Sequence, residues 1–491
     1  MIKGIETIPY MGLGVGIWVS QIQPLLDNLN DLSDIDYLEL YADDLVEIEK
    51  ITDILPSEYR AILHGVGLSV IGADPLPEKL LKDTKRVAQK ISAPWILEDL
   101  AVWRLDGETP FSGPFWPPIF NRDSLNLVIS RVEMLTDIFE RPFLCEVPPL
   151  DLVLGSIDVD IFFRNITEKL NCGLVLDVSH WLRYMQLQDI SMSEPWAKFP
   201  MENIVELHIS GGRKIKGKRW YDEEHSTKLL TECVSLLDNA ISQAPNVRAI
   251  TIESHGASVE TLIDSIAKVN QLDSVKNIRK LKPLATVDAE ASPNSIFGDL
   301  PSADIDLLEK QRAVKRLYEY PSLLLDKLDS PESSEASDAE LKLDESENWL
   351  SAVYKTWKRK MDLPKITRFS IENSQLNEGA VYGQYLKINN LSVRDSLDPV
   401  SVAQYFANMI ELPDWARDCC SFEADIYRVA AGTAPIAKHE VTDGGNKYLV
   451  EYPRSIKNTI NTILKGSELP AEAMTIISME IKGSELLVTE L

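Results

Sequence analysis

Short apolar runs alternate with longer amphipathic stretches through residues 1–270. The runs are Met11–Trp18, Ile35–Tyr41, Ala61–His64, Pro94–Leu97, Pro142–Glu146, Gly173–Val178, Ile204–Ile209 and Arg248–Glu253. Between most of them apolar residues recur at helical spacing, as in Ser124–Phe139 and Thr227–Ser242. Strands alternating with helices predict parallel pairing through crossover helices. Eight such runs predict a (β/α)8 TIM barrel. A doubly wound sheet is the other fold that the pattern allows.

The pattern changes past Gln271. The barrel is read as residues 1–275, followed by a connecting segment, 276–345. That segment contains an acidic, serine-rich stretch from Ser330 to Glu340, with too little apolar surface to pack, which reads as a solvated linker. Residues 346–491 read as a smaller, mainly helical domain. Trp349, Leu350, Val353, Tyr354 and Trp357 stand at helical spacing, and further helices are predicted over Val400–Ile410 and Ala416–Ala431. Met474–Glu480 and Glu485–Leu491 read as a hairpin around Lys482-Gly483.

Composition narrows the function classes. In 491 residues, 44% are hydrophobic, enough for a real core, and the formal charge is −26. That acidic excess opposes nucleic-acid binding, which needs clustered Lys and Arg, and docking on anionic membranes. No apolar run has transmembrane length, and the N-terminus lacks a signal-peptide core. Five cysteines, an odd number in a long chain, are no disulfide framework. A cytoplasmic protein with neither a nucleic-acid nor a membrane partner is expected.

Histidine is scarce, at six residues, so its placement carries information. In an α/β barrel, reactive groups come from the C-terminal ends of the strands and the loops after them. His64 ends the third run, and Glu98-Asp99 follow the fourth. Glu146 ends the fifth, and Asp177 ends the sixth with His180 three residues on. His208 lies near the end of the seventh, whose following loop carries Asp222-Glu223-Glu224-His225, and Glu253 with His255 closes the eighth. Each residue alone has a structural reading: a hydrogen-bonded histidine, an ion-pair partner, a solvated acidic loop. His439 lies in the second domain and reads as structural. Together they are costly to bury unless cations compensate them. A His and carboxylate set without cysteine suits zinc, iron or manganese.

These motifs resemble the multinuclear non-haem iron-dependent oxidases, the family of the methanobactin-biosynthesis oxidase, from about Gly12 to Asn270. Leu63-His64-Gly65-Val66-Gly67-Leu68-Ser69 matches the family's first His motif, and Phe115-Trp116-Pro117-Pro118 resembles its proline-rich loop. Leu176-Asp177-Val178, Glu206-Leu207-His208-Ile209-Ser210-Gly211 and Ile252-Glu253 match as well. The resemblance implies a barrel of the endonuclease IV/xylose isomerase-like type. It also implies two or three iron ions and dioxygen as cosubstrate. Carried over, Glu146, Asp177, His208 and Glu253 surround one metal. His64 holds a second with Glu146 bridging, and His180 with Glu223 and His225 holds a third. The chain departs from the family at Asp99, where the family has His, and at Val147, where it has Asn. Glu223 stands for the family's Asp, and His180 sits where Asn is common. Asp99 can still bind metal through oxygen.

The implied activity is oxidative modification of a Cys, Asp or similar side chain in a ribosomally synthesised precursor peptide. Asp418-Cys419-Cys420-Ser421-Phe422-Glu423 resembles a helix of the partner proteins that work beside these oxidases. That implies a fused partner-like or substrate-recruiting domain; a separate partner protein or a homodimer is the other expectation. A metal-dependent isomerase or hydrolase on the same barrel, and a metal-poor peptide-binding protein, are the alternative readings.

Overall fold

The computed structural model describes residues 5–28, 34–41, 60–109, 115–150, 152–196, 198–214, 221–281, 305–319, 365–372, 374, 376, 381, 384–386, 399–409, 411–431, 433–442, 447–453, 455–464, 475–482 and 485–490. All eight apolar runs form strands: β1 (Gly12–Ile17), β2 (Tyr37–Tyr41), β3 (Arg60–His64), β4 (Ile96–Asp99), β5 (Phe143–Glu146), β6 (Leu174–Asp177), β7 (Ile204–Ser210) and β8 (Ala249–Glu253). They pair in parallel, each with its neighbours in sequence, and β1 closes on β8 to complete the barrel. The doubly wound alternative is thereby excluded. Almost every strand residue is buried, because helices cover the outside while side chains fill the inside.

The crossover helices include α1 (Val19–Asn28), α2 (Glu78–Lys90), α3 (Arg122–Phe139), α4 (Val159–Leu170), α5 (Val178–Leu187), α6 (Thr231–Gln243) and α7 (Val259–Asn270). Their starts are marked in the sequence. Asn121 accepts the Ser124 N–H at 2.9 Å to begin α3, and Ser258 accepts the Thr261 N–H at 3.3 Å to begin α7. A short antiparallel pair, Gly212–Lys214 with Tyr221–Glu223, follows β7. The glycines of the His64 motif have distinct duties. Gly67 adopts a left-handed φ of 91°, and a Cβ on Gly65 would come 3.0 Å from the Leu97 carbonyl.

The chain divides into two compact units between Val314 and Lys315. The second contains helices α10 (Lys365–Glu372), α11 (Pro399–Ala407), α12 (Asp414–Ala430) and α13 (Ile456–Leu464), counting Asp273–Arg279 and Ile305–Glu319 as α8 and α9. Beside these helices runs a four-stranded antiparallel sheet, β9 (His439–Thr442), β10 (Lys447–Tyr452), β11 (Thr475–Lys482) and β12 (Glu485–Glu490). The expected tail hairpin is its β11–β12 half; the sequence pattern does not predict β9 and β10. The proposed linker around Ser330 and the Trp349–Trp357 helix lie outside the described residues. All five cysteines are buried, and none forms a disulfide. Among the described residues no helix is long and apolar enough to cross a membrane.

Candidate metal centre

Side chains of a barrel strand alternate between the interior and the helix layer. Inward positions begin apolar and end polar: Ile62 then His64 on β3, Leu144 then Glu146 on β5, Val175 then Asp177 on β6. The apolar members belong to one buried cluster with Ile8, Met11 and Trp95. The polar members meet at the C-terminal ends. This alternation also separates Glu98 from Asp99. Glu98 faces the other way and accepts the N–H groups of Leu68 and Ser69 at 2.7 and 2.9 Å, anchoring the loop after His64. Asp99 points inward.

Among the described residues four groups of ligand atoms result, each with its members within 4.8 Å of one another; three consist of residues marked in the sequence: Glu146, Asp177, His208 and Glu253; His64, Asp99 and Glu146; His180, Glu223 and His225. His208 Nδ1 lies 2.9 Å from Glu146 Oε1 and 3.3 Å from Glu253 Oε1. His64 Nε2 lies 3.7 Å from both Asp99 Oδ2 and Glu146 Oε2, so Glu146 faces two groups. His180 gives Nδ1 to the Val147 carbonyl at 2.8 Å, which turns Nε2 toward Glu223 Oε1 at 3.2 Å. Val147 thus orients the ring through its backbone oxygen. His225 Nε2 is 2.7 Å from Glu223, and its Nδ1 is 3.0 Å from Nδ1 of His255. All nine sequence-predicted site residues are thus brought together; the side chain of Asp222 is outside the described ones.

Both carboxylate oxygens of Glu146 are buried without a hydrogen-bond partner, and so are Asp99 Oδ1, Asp177 Oδ2, His180 Nε2 and both ring nitrogens of His208. Buried polar atoms are almost always partnered, and orphans converging from several strands fit cations of oxygen and nitrogen preference. The titration behaviour points the same way. Burial pushes Glu146 up to about 8, and it also raises Asp177. Burial opposes the charge on His64 and His208, yet the surrounding carboxylates outweigh it and hold both well above the usual imidazole range. His180 is raised against its burial by Asp177 and Glu223. Here protons stand in for the missing positive charge.

Strand ends alone do not disclose a deeper polar layer. Glu39 and Glu206 are fully buried in mid-strand. Glu206 receives the Trp95 Nε1–H at 2.7 Å, and the Thr251 hydroxyl lies 2.8 Å from each carboxylate. A carboxylate inside an otherwise apolar strand, as in Tyr37-Leu38-Glu39-Leu40-Tyr41, is the signal that could have found it. His255, which has only proximity in its favour in the sequence, packs against Trp18 and Tyr41, while burial and the charge of His225 push it down to about 3.

A family model described as RiPP precursor modification enzyme MbnB/TglH/ChrH matches residues 12–274. The chain belongs to this family. The matched span covers the barrel from β1 past α7 and so includes every residue of the three groups. Among curated relatives, the UPF0276 protein of Caulobacter vibrioides is 22% identical over 216 residues, 42% of this chain and 76% of that protein. The UPF0276 protein of Bordetella pertussis is 26% identical over 159 residues, 32% of this chain and 54% of that protein. Among solved structures, D-psicose 3-epimerase from Clostridium cellulolyticum H10 is similar at 12% identity and a TM-score of 0.36, over 55% of this chain and 98% of that one. The 3-keto-D-glucoside 4-epimerase of E. coli gives 13% identity and 0.36, over 53% and 98%. Likeness at that level says nothing of the reaction, and the barrel rests on the strand pairing itself.

Proposed function

We propose that this protein is an iron-dependent oxidase that binds two or three iron ions at the barrel mouth and uses dioxygen to modify a side chain of a ribosomally made peptide. The observation that carries this reading is the convergence of orphaned oxygen and nitrogen atoms in three adjoining groups. Glu146, Asp177, His208 and Glu253 would hold one ion; His64, Asp99 and Glu146 a second; His180, Glu223 and His225 a third. Bound iron would supply dioxygen activation and the removal of hydrogen from a peptide carbon. The residues hold and orient: the Val147 carbonyl aims His180, and Tyr41 donates its hydroxyl to Glu253 at 3.0 Å. Family membership supports a precursor peptide as substrate, and residues 346–491 are assigned its recruitment. The test is the iron content of the full chain purified without oxygen, followed by dioxygen uptake with a candidate precursor. Two or three irons per chain and peptide-dependent uptake are expected. Turnover without dioxygen would favour an isomerase or hydrolase, and absence of iron would end the oxidase reading.

A further inference from the structure

Glu39, on β2, belongs to no ligand group inferred from the sequence, yet it lies between two of them. Its Oε1 is 2.9 Å from His64 Nδ1, and its Oε2 is 3.2 Å from His208 Nε2. Distance alone admits Glu39 to a fourth candidate group with His64, His208 and Glu253. The pattern of satisfied atoms separates the roles. No atom of Glu39 is among the buried polar atoms left without a partner, whereas Glu146 and His208 each have two. The Thr251 hydroxyl lies 2.8 Å from Glu39 Oε2. The Tyr37 hydroxyl, 2.6 Å from Thr251 Oγ1, can donate there and free the threonine proton for the carboxylate.

We infer that Glu39 is a positioning residue that decides which ring nitrogen His64 presents to metal. The inference rests on the metal-binding reading above. A carboxylate only accepts, so the imidazole nitrogen facing it carries the proton, and a neutral ring then has its lone pair on the other nitrogen. For His64 the free nitrogen is Nε2, which faces Asp99 and Glu146. His208 is not set in this way: its Nε2 faces Glu206 Oε1 at 3.4 Å as well as Glu39, and its Nδ1 lies nearer to Glu146, at 2.9 Å. Glu39 thereby turns the His64 lone pair toward Asp99 and the shared carboxylate Glu146.

In Glu39→Leu the His64 ring loses the acceptor that holds its Nδ1 proton, so either nitrogen can turn to metal. The test uses the full chain loaded with zinc, a diamagnetic probe, with 15N-labelled histidine. In the wild type, nitrogen shifts should show His64 bound through Nε2. In Glu39→Leu the His64 ring should lose that signal, and zinc affinity should fall about 10- to 100-fold. Glu39→Gln, whose amide oxygen still accepts from Nδ1, should keep most of the affinity. Metal bound through His64 Nδ1 in the wild type, or an unaltered His64 ring in a folded Glu39→Leu, would overturn the inference while leaving metal binding intact. If Glu39→Leu does not fold, the nitrogen that His64 uses in the wild type decides the matter. A wild type that takes up neither zinc nor iron overturns both proposals.

Discussion

Buried acids occur in both units of the chain, and their surroundings differ. In the C-terminal unit, Glu423 accepts the backbone N–H groups of Ile366 and Thr367 at 3.0 and 2.5 Å, closing the start of α10. Asp425, fully buried, accepts from Ile436 and Ala437 N–H and from the Tyr452 hydroxyl. Their hydrogen bonds serve the fold. At the barrel mouth, Glu146 has both oxygens orphaned, and Asp99 and Asp177 have one each. Burial of an acid therefore does not mark a site; burial without partners does. The same distinction acts within β4, where Glu98 is occupied by the loop after His64 and Asp99 is not.

This contrast is sharpest if its two sides are removed separately. Glu146→Ala or His208→Ala should each lower bound metal by at least one ion per chain. In the metal-free Glu146→Ala protein, stability should change by about 1 kcal/mol or less, because the lost contact with His208 and the relief of a costly buried carboxylate oppose each other. Elemental analysis and thermal unfolding check both points, and full occupancy in both variants would sink the ligand assignment. Asp425→Leu should do the reverse. It strands two N–H groups and a hydroxyl, costing about 2–4 kcal/mol in denaturant unfolding of the full chain, with barrel metal content unchanged.

Protonation offers a milder way to separate the two regions. Glu146 at about 8 and the raised His64, His180 and His208 hold protons at neutral pH that a cation must displace. Metal affinity should therefore fall as the pH drops from 8 to 6, about tenfold per pH unit for each proton displaced. Metal titrations at several pH values would show it, and a flat profile would mean that these groups are not ligands. The smallest effect is expected from Asp99→His. It exchanges a hard anionic oxygen for a neutral imidazole, so metal number should hold while the redox potential rises. An unchanged potential in voltammetry would place Asp99 outside the coordination sphere.

The barrel is legible in the sequence because parallel strands buried on both faces read as unbroken apolar runs, and their polar ends stand out. Thus His64, Glu146, Asp177, His208 and Glu253 can be located without any geometry. Glu39 and Thr251 cannot, since they lie in mid-strand and become polar neighbours of His208 only when the barrel closes. His180 is marked by its spacing from Asp177, but nothing in the sequence shows that a carbonyl at Val147 would aim it. In the C-terminal unit, β9 is four residues long and largely polar, so it has too little apolar alternation to announce a strand. The Asp418–Glu423 likeness reads as a recruiting helix in the sequence; in the structure its Glu423 holds α10 in place.

Asp177 has a divided allegiance with consequences for descent. One oxygen accepts the N–H groups of Ser179 and His180 and starts α5, while the other is left bare in the cavity. Serine or asparagine at this position would still start the helix but would not supply an anionic ligand; alanine would lose both. A lineage that abandoned metal could therefore drift to Ser or Asn here without disturbing its barrel, whereas one that kept metal would give up an anionic ligand by doing so. The residue at this one position becomes a marker for sorting relatives into those that retained the chemistry and those that kept only the scaffold.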